Sequence, residues 1–483
     1  MRSSAVLGTL LLSLAACAGM PPSRPPSTAD IPQPDASVPR RDDPFLDTLQ
    51  QRTFGYFWEL SDPRTRLVPD RWPTPSFSSV AAVGFALTSY PIGVERKLVT
   101  RREAARRTVE TLRFLWRAPQ GPGATGMAGY RGLFYHFLDM GTGERFKDVE
   151  LSTIDTSLLL AGVLTCGEYF DGPGADEAEI RALADSLYLR ADWKWMQVRP
   201  PLLGMGWKPE SGFIDYDWHG LNEGMLLYVM ALGSPTHPIE PDAWTAWAST
   251  YRWGTYYGQE HLGFAPLFGH QYSQVWIDFR GIRDPFMREK GIDYFENSRR
   301  ATLAQRGYAI ANPDGWKGYG VDLWGLTASD GPVDGDYDVH GRRRHFFTYA
   351  ARGASFTEVR DDGTLAPTAA GGSIAFAPEV AIPAMKEMRR RYGADLFGRY
   401  GFLDAFNPTF DLAVPVHHGR VVPGVGWFDT DYLGIDQGPI IAMTENYRSG
   451  LVWKLMRKNP HIARGLRRAG FTGGWLDAPG APK

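Results

Sequence analysis

Residues 76–90 read SFSSVAAVGFALTSY, and a few positions further on residues 100–116 read TRREAARRTVETLRFLW. The first stretch is small, apolar and almost uncharged, so a helix built from it offers no face to water and has to be covered on all sides. The second is amphipathic: Ala105, Val109, Leu112 and Trp116 recur at helical spacing on one side, and arginines fill much of the rest. Inner apolar helices alternating with charged outer ones, with little strand-like alternation, fit an all-α toroid of helix pairs better than a sheet flanked by helices. The same periodicity predicts helices near 44–60, 76–92, 98–117, 153–170, 177–198, 221–232, 241–250, 271–278, 285–306, 376–392 and 435–457. No internal sequence repeat is evident.

The chain has 483 residues, a net charge of -2 and 13% aromatic residues, the profile of a globular protein rather than a nucleic-acid-coating one. No basic stretch marks a polyanion surface. Sixteen Trp and 21 Tyr leave two readings open: rings that stack on sugars, or a large aromatic core. At the start, Arg2, the apolar run from Leu7 to Leu14, and then Ala15, Ala16 and Cys17 resemble a bacterial lipoprotein signal. This implies cleavage before Cys17 and its acylation; an ordinary secretory peptide is the alternative, and the run is too short to span a membrane. The expected layout is a signal peptide over 1–16, a tether over 17–42 rich in Pro, Ser and Asp, and one domain over 43–483. Ala18 beside the cysteine suits the outer membrane, with the domain facing the periplasm. Cys166 is then left as a buried thiol in an apolar helix.

From Asn312 to Phe376 the helical pattern stops, and turn formers mix with aromatics in NPDGWKGYGVDLWGLTASDGP and VDGDYDVHGRRRHFFTYAARG. A connection this long is uncommon unless it has work to do, so it is expected to form a lid or cleft wall.

Four stretches set acids among aromatic and polar residues. In GFIDYDWHGLNEGMLLYVMALGSPTHPI, residues 212–239, Glu223 heads an apolar helix, either as an acid that serves the helix start alone or as a group with chemistry to do. In FKDVELSTIDTSLLLAG, Asp155 lies in a first helical turn, either as a cap or turned inward. LFGHQYSQVWIDFRGIRD brings together His270, Gln271, Asp278 and Arg280, where a structural ion pair competes with a binding role. In YLGIDQGPIIAMTENYRSGLVWKLM, Asp436 precedes Pro439 at a helix start, as a plain cap or as a working acid. No His or Cys spacing suits one face of a helix, so neither metal nor cofactor is expected.

These motifs together resemble the glycoamylase-like superfamily and, within it, the endo-β-1,2-glucanases of glycoside hydrolase family 144. The resemblance runs over about residues 44–475. It implies an (α/α)6 toroid with long loops forming a cleft on one face, and hydrolysis of β-1,2-glucan with inversion. Carried over residue by residue, it makes Glu223 in the NE motif the proton donor, with Asp155 and Asp436 as the other acids. An inverting hydrolase needs an acid at the departing oxygen and a base for water on the opposite ring face. Asp436 is the expected base and Asp155 an orienting acid, although a relay through a substrate hydroxyl leaves the two exchangeable. His270, Gln271, Asp278 and Arg280 are expected to take sugar hydroxyls, and Trp218, Trp324 and Tyr349 to stack on rings. FDLAVPVHHGRVVPGVG, between Asn407 and Asp429, departs from the family pattern and suits a block at one end of the cleft. The competing readings are an exo-acting hydrolase, a transglycosylase, and a lipid-anchored glycan-binding protein that cleaves nothing. The expected partners are β-1,2-glucan and, through the anchor alone, a membrane; nucleic acid is not among them.

Overall fold

The structure, a computed structural model, describes residues 39–482. The signal peptide, Cys17 and most of the tether lie outside the described residues. Helices dominate. In chain order they are α1 (Pro44–Glu59), α2 (Val80–Glu95), α3 (Arg101–Arg117), α4 (Thr153–Tyr169), α5 (Ala175–Leu189), α6 (Met225–Gly233), α7 (Asp242–Ala248) and α8 (Phe268–Trp276). There follow α9 (Pro285–Lys290), α10 (Tyr294–Ala311), α11 (Pro367–Gly371), α12 (Pro378–Tyr392), α13 (Gly434–Arg448), α14 (Leu451–Met456) and α15 (Pro460–Arg468).

Burial separates the helices into two layers. In α2 every residue from Val80 to Gly93 is buried, α6 is buried throughout, and α4, α8 and α13 are nearly so. By contrast α3, α5 and α12 bury one stripe each and carry their charges outward. The inner helices α2 and α4 touch backbone to backbone: a Cβ on Gly84 would lie 2.2 Å from the Leu158 carbonyl oxygen, and one on Gly162 2.0 Å from that of Gly84. No larger residue fits at either place.

Short strands tie the starts of the inner helices together. Ser78–Ser79, ahead of α2, pairs with Phe137–Leu138, and Leu151–Ser152, ahead of α4, pairs with both Leu133–Tyr135 and Gly206–Lys208. Tyr432–Leu433, ahead of α13, pairs with Arg71–Trp72. Ser79 and Ser152 then cap α2 and α4 by accepting from the Ala82 and Asp155 amides. The N-terminal ends of α2, α4 and α13 are thereby gathered on one face.

Several expectations need correction. The predicted helix 285–306 is two helices, because Gly291 takes a left-handed φ of 73° and Asp293 starts a new cap. Gly450, at φ 69°, divides 435–457 in the same way. The segment predicted over 177–198 ends at Leu189, and α11 and α15 were not anticipated. Trp116 is 43% exposed rather than on the covered face of α3; the Arg190 guanidinium lies over its ring. Cys166 is buried and free, with its thiol donating to the Leu87 carbonyl at 3.1 Å.

The segment 312–376 wraps into a module of its own. A hairpin pairs Gly335–Val339 with Arg342–Phe346, and Trp316, Val339 and Phe346 pack on Phe410 and Trp427 from the 407–429 stretch. Arg352 is fully buried, clamped to Asp362 at 2.7 Å and to the carbonyls of Ser329, Phe347 and Thr348. Among the described residues no helix is long and apolar enough to cross a membrane.

Candidate active site

Asp155 and Asp436 hold equivalent places: each is the third residue of an inner helix, α4 and α13, and each is 4% exposed. Glu223 stands two residues ahead of α6, held there by Ser273, which donates to the Glu223 carbonyl and accepts from the Leu226 amide. The starts of three inner helices thus bring acids from distant parts of the chain near one another, Glu223 feeling Asp155 and Tyr272 feeling both Glu223 and Asp436.

Their electrostatics follow from crowding and burial. Among the described residues the Glu223 carboxylate has no hydrogen-bond partner beyond its own backbone amide; burial, with a further push from Asp155, raises it to about 7. Asp155 accepts from Ser152 Oγ at 2.5 Å and lies 3.5 Å from His136 Nε2; burial still raises it, against the pull of His136. The other His136 nitrogen meets Glu150 at 2.8 Å. Burial by itself would lower this imidazole, but Asp155 and Glu150 outweigh it and hold it at about 9, so it is cationic at neutral pH.

Asp436 is raised to about 7 by burial, and Asp404 beside it is raised well above the usual carboxylate range by burial and by Asp436. Among the described residues, Asp436 Oδ2 and Asp404 Oδ1 are both buried with no donor bonded to them. A proton held between the two carboxylates accounts for both facts. Asp330 and Asp429 complete the acidic wall, with oxygens of Asp330, Asp404 and Asp429 all within 4.8 Å of one another. Arg71 answers part of this charge by bonding Asp330 at 2.7 Å and Asp431 at 3.4 Å. Asp70, raised to about 6 by burial, links the two acid groups, since it feels His136 and Asp155 on one side and Asp330 on the other.

Two tyrosines mark the space between. The Tyr272 hydroxyl, on α8, is held well above its ordinary range by burial and by the charges of Asp436, Glu223 and Asp404. Tyr349, from the 312–376 module, is 39% exposed, and its hydroxyl feels Asp436, Asp404, Asp330 and Asp70. The module thus brings a tyrosine to the acid group around Asp436.

Not all expected binding residues reach this place. His270 is buried, bonded through Nε2 to the Phe264 carbonyl at 3.0 Å, and burial lowers it to about 3. Gln271 donates to the Ala369 carbonyl and Ser373 Oγ, and Trp324 is fully buried in the core around α12. These three are core residues, because their polar atoms or ring faces are already taken by protein. Trp218 is 6% exposed and donates to Thr153 Oγ1 at 3.0 Å, so it braces the Glu223 loop against α4 rather than offering an open ring. Asp278 and Arg280 bond each other at 2.7 Å and lie near Arg457 and Trp453, apart from the three acids. The ion-pair reading of them holds. Conversely, His136, Asp70, Arg71, Asp330, Asp404 and Tyr272 belong to the cleft without having been singled out for it. An acid set among apolar neighbours, as in FLDAF around Asp404, was the available signal.

Residues 215–460 match the Glycoamylase family model, described as "Putative glucoamylase". A protein solved from Bacteroides uniformis under the same description is 32% identical, with a TM-score of 0.77 covering 91% of this chain and 100% of that one. An endo-β-1,2-glucanase from Chitinophaga pinensis, solved with sophorotriose and glucose, is 28% identical with a TM-score of 0.76 over 91% and 100% of the two chains. A curated relative from Parabacteroides distasonis, an exo β-1,2-glucooligosaccharide sophorohydrolase acting at the non-reducing end, is 30% identical over 466 residues. That match takes in 89% of this chain, which spans 58% of the relative's length. By the family match and the shared fold, this chain belongs to the glycoamylase family.

Proposed function

We propose that this protein is a glycoside hydrolase that cleaves β-1,2-glucan with inversion, its two helical layers closing as an (α/α)6 toroid. The observation that carries the reading is the pairing of a lone half-buried acid, Glu223, raised to about 7, with a second acid group around Asp436. At neutral pH Glu223 is protonated for much of the time and donates to the departing glycosidic oxygen as the bond to the anomeric carbon breaks. Asp436, once ionised, takes the proton of the attacking water on the opposite ring face, directly or through a sugar hydroxyl. Asp155, fixed by Ser152 and His136, orients that hydroxyl or the water. Tyr349 supplies a ring at the cleft wall. The substrate class rests on the two β-1,2-glucan-acting relatives above.

Endo action is the main reading. One observation favours exo action: the 407–429 stretch packs into the lid module, and His418 within it feels Asp330, Arg71 and Asp431. A plug at that end would leave room for a chain terminus only. Product analysis on linear β-1,2-glucan separates the two, since a ladder of oligosaccharides supports endo cleavage and a single short product supports exo cleavage. Larger products mean transfer, and binding without any product removes the hydrolase reading. We also propose acylation at Cys17 and residence at the outer membrane facing the periplasm; Cys17→Ala is expected to release the protein from membranes, and unchanged detergent partitioning argues against the anchor.

A further inference from the structure

At the other end of α13 lies a cavity of about 440 Å3 lined by Arg41, Arg280, Lys454, Arg457, Trp453 and Asp278. Asp436 and Tyr447 are eleven residues apart on α13, so this cavity lies about 16 Å along the helix from the acid cleft. Its charge is opposite in sign to the cleft's: four cations face one carboxylate in a chain whose net charge is -2. Asp278 is spent on Arg280 and Arg457 together. Among the described residues, Arg457 Nε is buried without a hydrogen-bond partner, exposed Lys454 has no carboxylate bonded to it, and Arg41 lies over the Tyr447 ring. Arg280 lies over Trp453, 4.2 Å from its centroid, and Arg457 lies near Trp475, so two indoles flank the cations.

The described chain begins beside this cavity. Tyr447 donates to the Pro39 carbonyl, and Arg41 lies over the same ring. Twenty-one residues separate Pro39 from Cys17, so the proposed acylation site is close in sequence to this face. Basic side chains gathered on a face close in sequence to the proposed acylation site are the chemistry that meets an anionic bilayer surface, where lipid phosphates bind guanidinium and ammonium groups.

We propose that the cavity seats the phosphate headgroup of an anionic phospholipid. The cation-lined face then rests on the bilayer, and the acid cleft at the other end of α13 opens away from it.

The full chain is placed on vesicles of phosphatidylcholine with and without phosphatidylglycerol. Energy transfer to a lipid-borne acceptor is read from a dye at Lys458→Cys, on the cation-lined face, and in a second protein from a dye at Asp215→Cys, on the loop ahead of Glu223. Phosphatidylglycerol is expected to raise transfer from position 458 and not from 215. The double variant Arg41→Glu with Lys454→Glu should abolish that gain and weaken phosphatidylglycerol-dependent association by at least about tenfold, while glucan hydrolysis is unchanged. Equal transfer on both vesicle types, or a gain that survives the double variant, overturns the proposal. Calorimetric binding of inorganic phosphate that competes away the vesicle preference at millimolar concentration reassigns the cavity to a free anion and also overturns it.

Discussion

The two ends of α13 use the same residue type for opposite purposes. At its start, Asp436 is pressed against Asp404 and Asp330 in a buried wall, so its carboxyl is raised and exchanges a proton near neutral pH. Near its end, Asp278 is equally buried but clamped by Arg280 and Arg457, and serves to hold two guanidiniums in place. An acid among acids becomes a proton carrier; an acid among arginines becomes a strut. Burial alone does not separate the two.

The contrast breaks most visibly at Glu223. Glu223→Gln keeps the shape but has no proton to give, and turnover should fall by about a thousandfold or more while circular dichroism and glucan binding persist. Because burial raises this carboxyl above its unfolded value of 4.5 to about 7, its ionisation opposes folding as pH climbs through 7. The Gln variant should therefore gain thermal stability over the wild type above pH 7 and show no gain near pH 4. Wild-type activity should decline on the alkaline side as Glu223 loses its proton. Asp436→Asn and Asp155→Asn come next, each lowering kcat by about a hundredfold or more, and a silent variant would mark that residue as a cap.

At the strut end the expected effects are on stability. Asp278→Asn leaves two guanidiniums without their carboxylate and should cost about 1–3 kcal/mol in chemical denaturation, discounted because the Arg280 side chain is 45% exposed, with kcat within about twofold. Trp324→Phe is the mildest change: a fully buried ring shrinks, stability falls by about 1–2 kcal/mol, and KM does not move. A raised KM there would restore Trp324 as a sugar platform.

The layers were legible because an inner helix such as Val80–Glu95 has no polar face, and that shows in the residues themselves. Helix breaks at Gly291 and Gly450 were not, since apolar periodicity continues through them and only the left-handed φ of the glycine ends the helix. Asp155, Glu223 and Asp436 stood out as acids heading apolar helices. His136, Asp70 and Asp404 lie in bends beside short strands with no period to read, and they join the site because strand pairs such as Arg71–Trp72 with Tyr432–Leu433 draw those bends together. The misplaced residues fail for a related reason. In α8, His270 and Gln271 are polar yet directed into the core, where carbonyls and hydroxyls from other segments satisfy them, and sequence does not show those partners.

The account rests on Glu223 and Asp436 addressing one glycosidic bond. A crystal structure of Glu223→Gln with a β-1,2-linked glucooligosaccharide tests this directly. The expected result places the residue 223 amide about 3 Å from a glycosidic oxygen, with Asp436 reaching the opposite ring face directly or through one hydroxyl. An oligosaccharide bound elsewhere, or bound with Asp436 on the same ring face as residue 223, would contradict it.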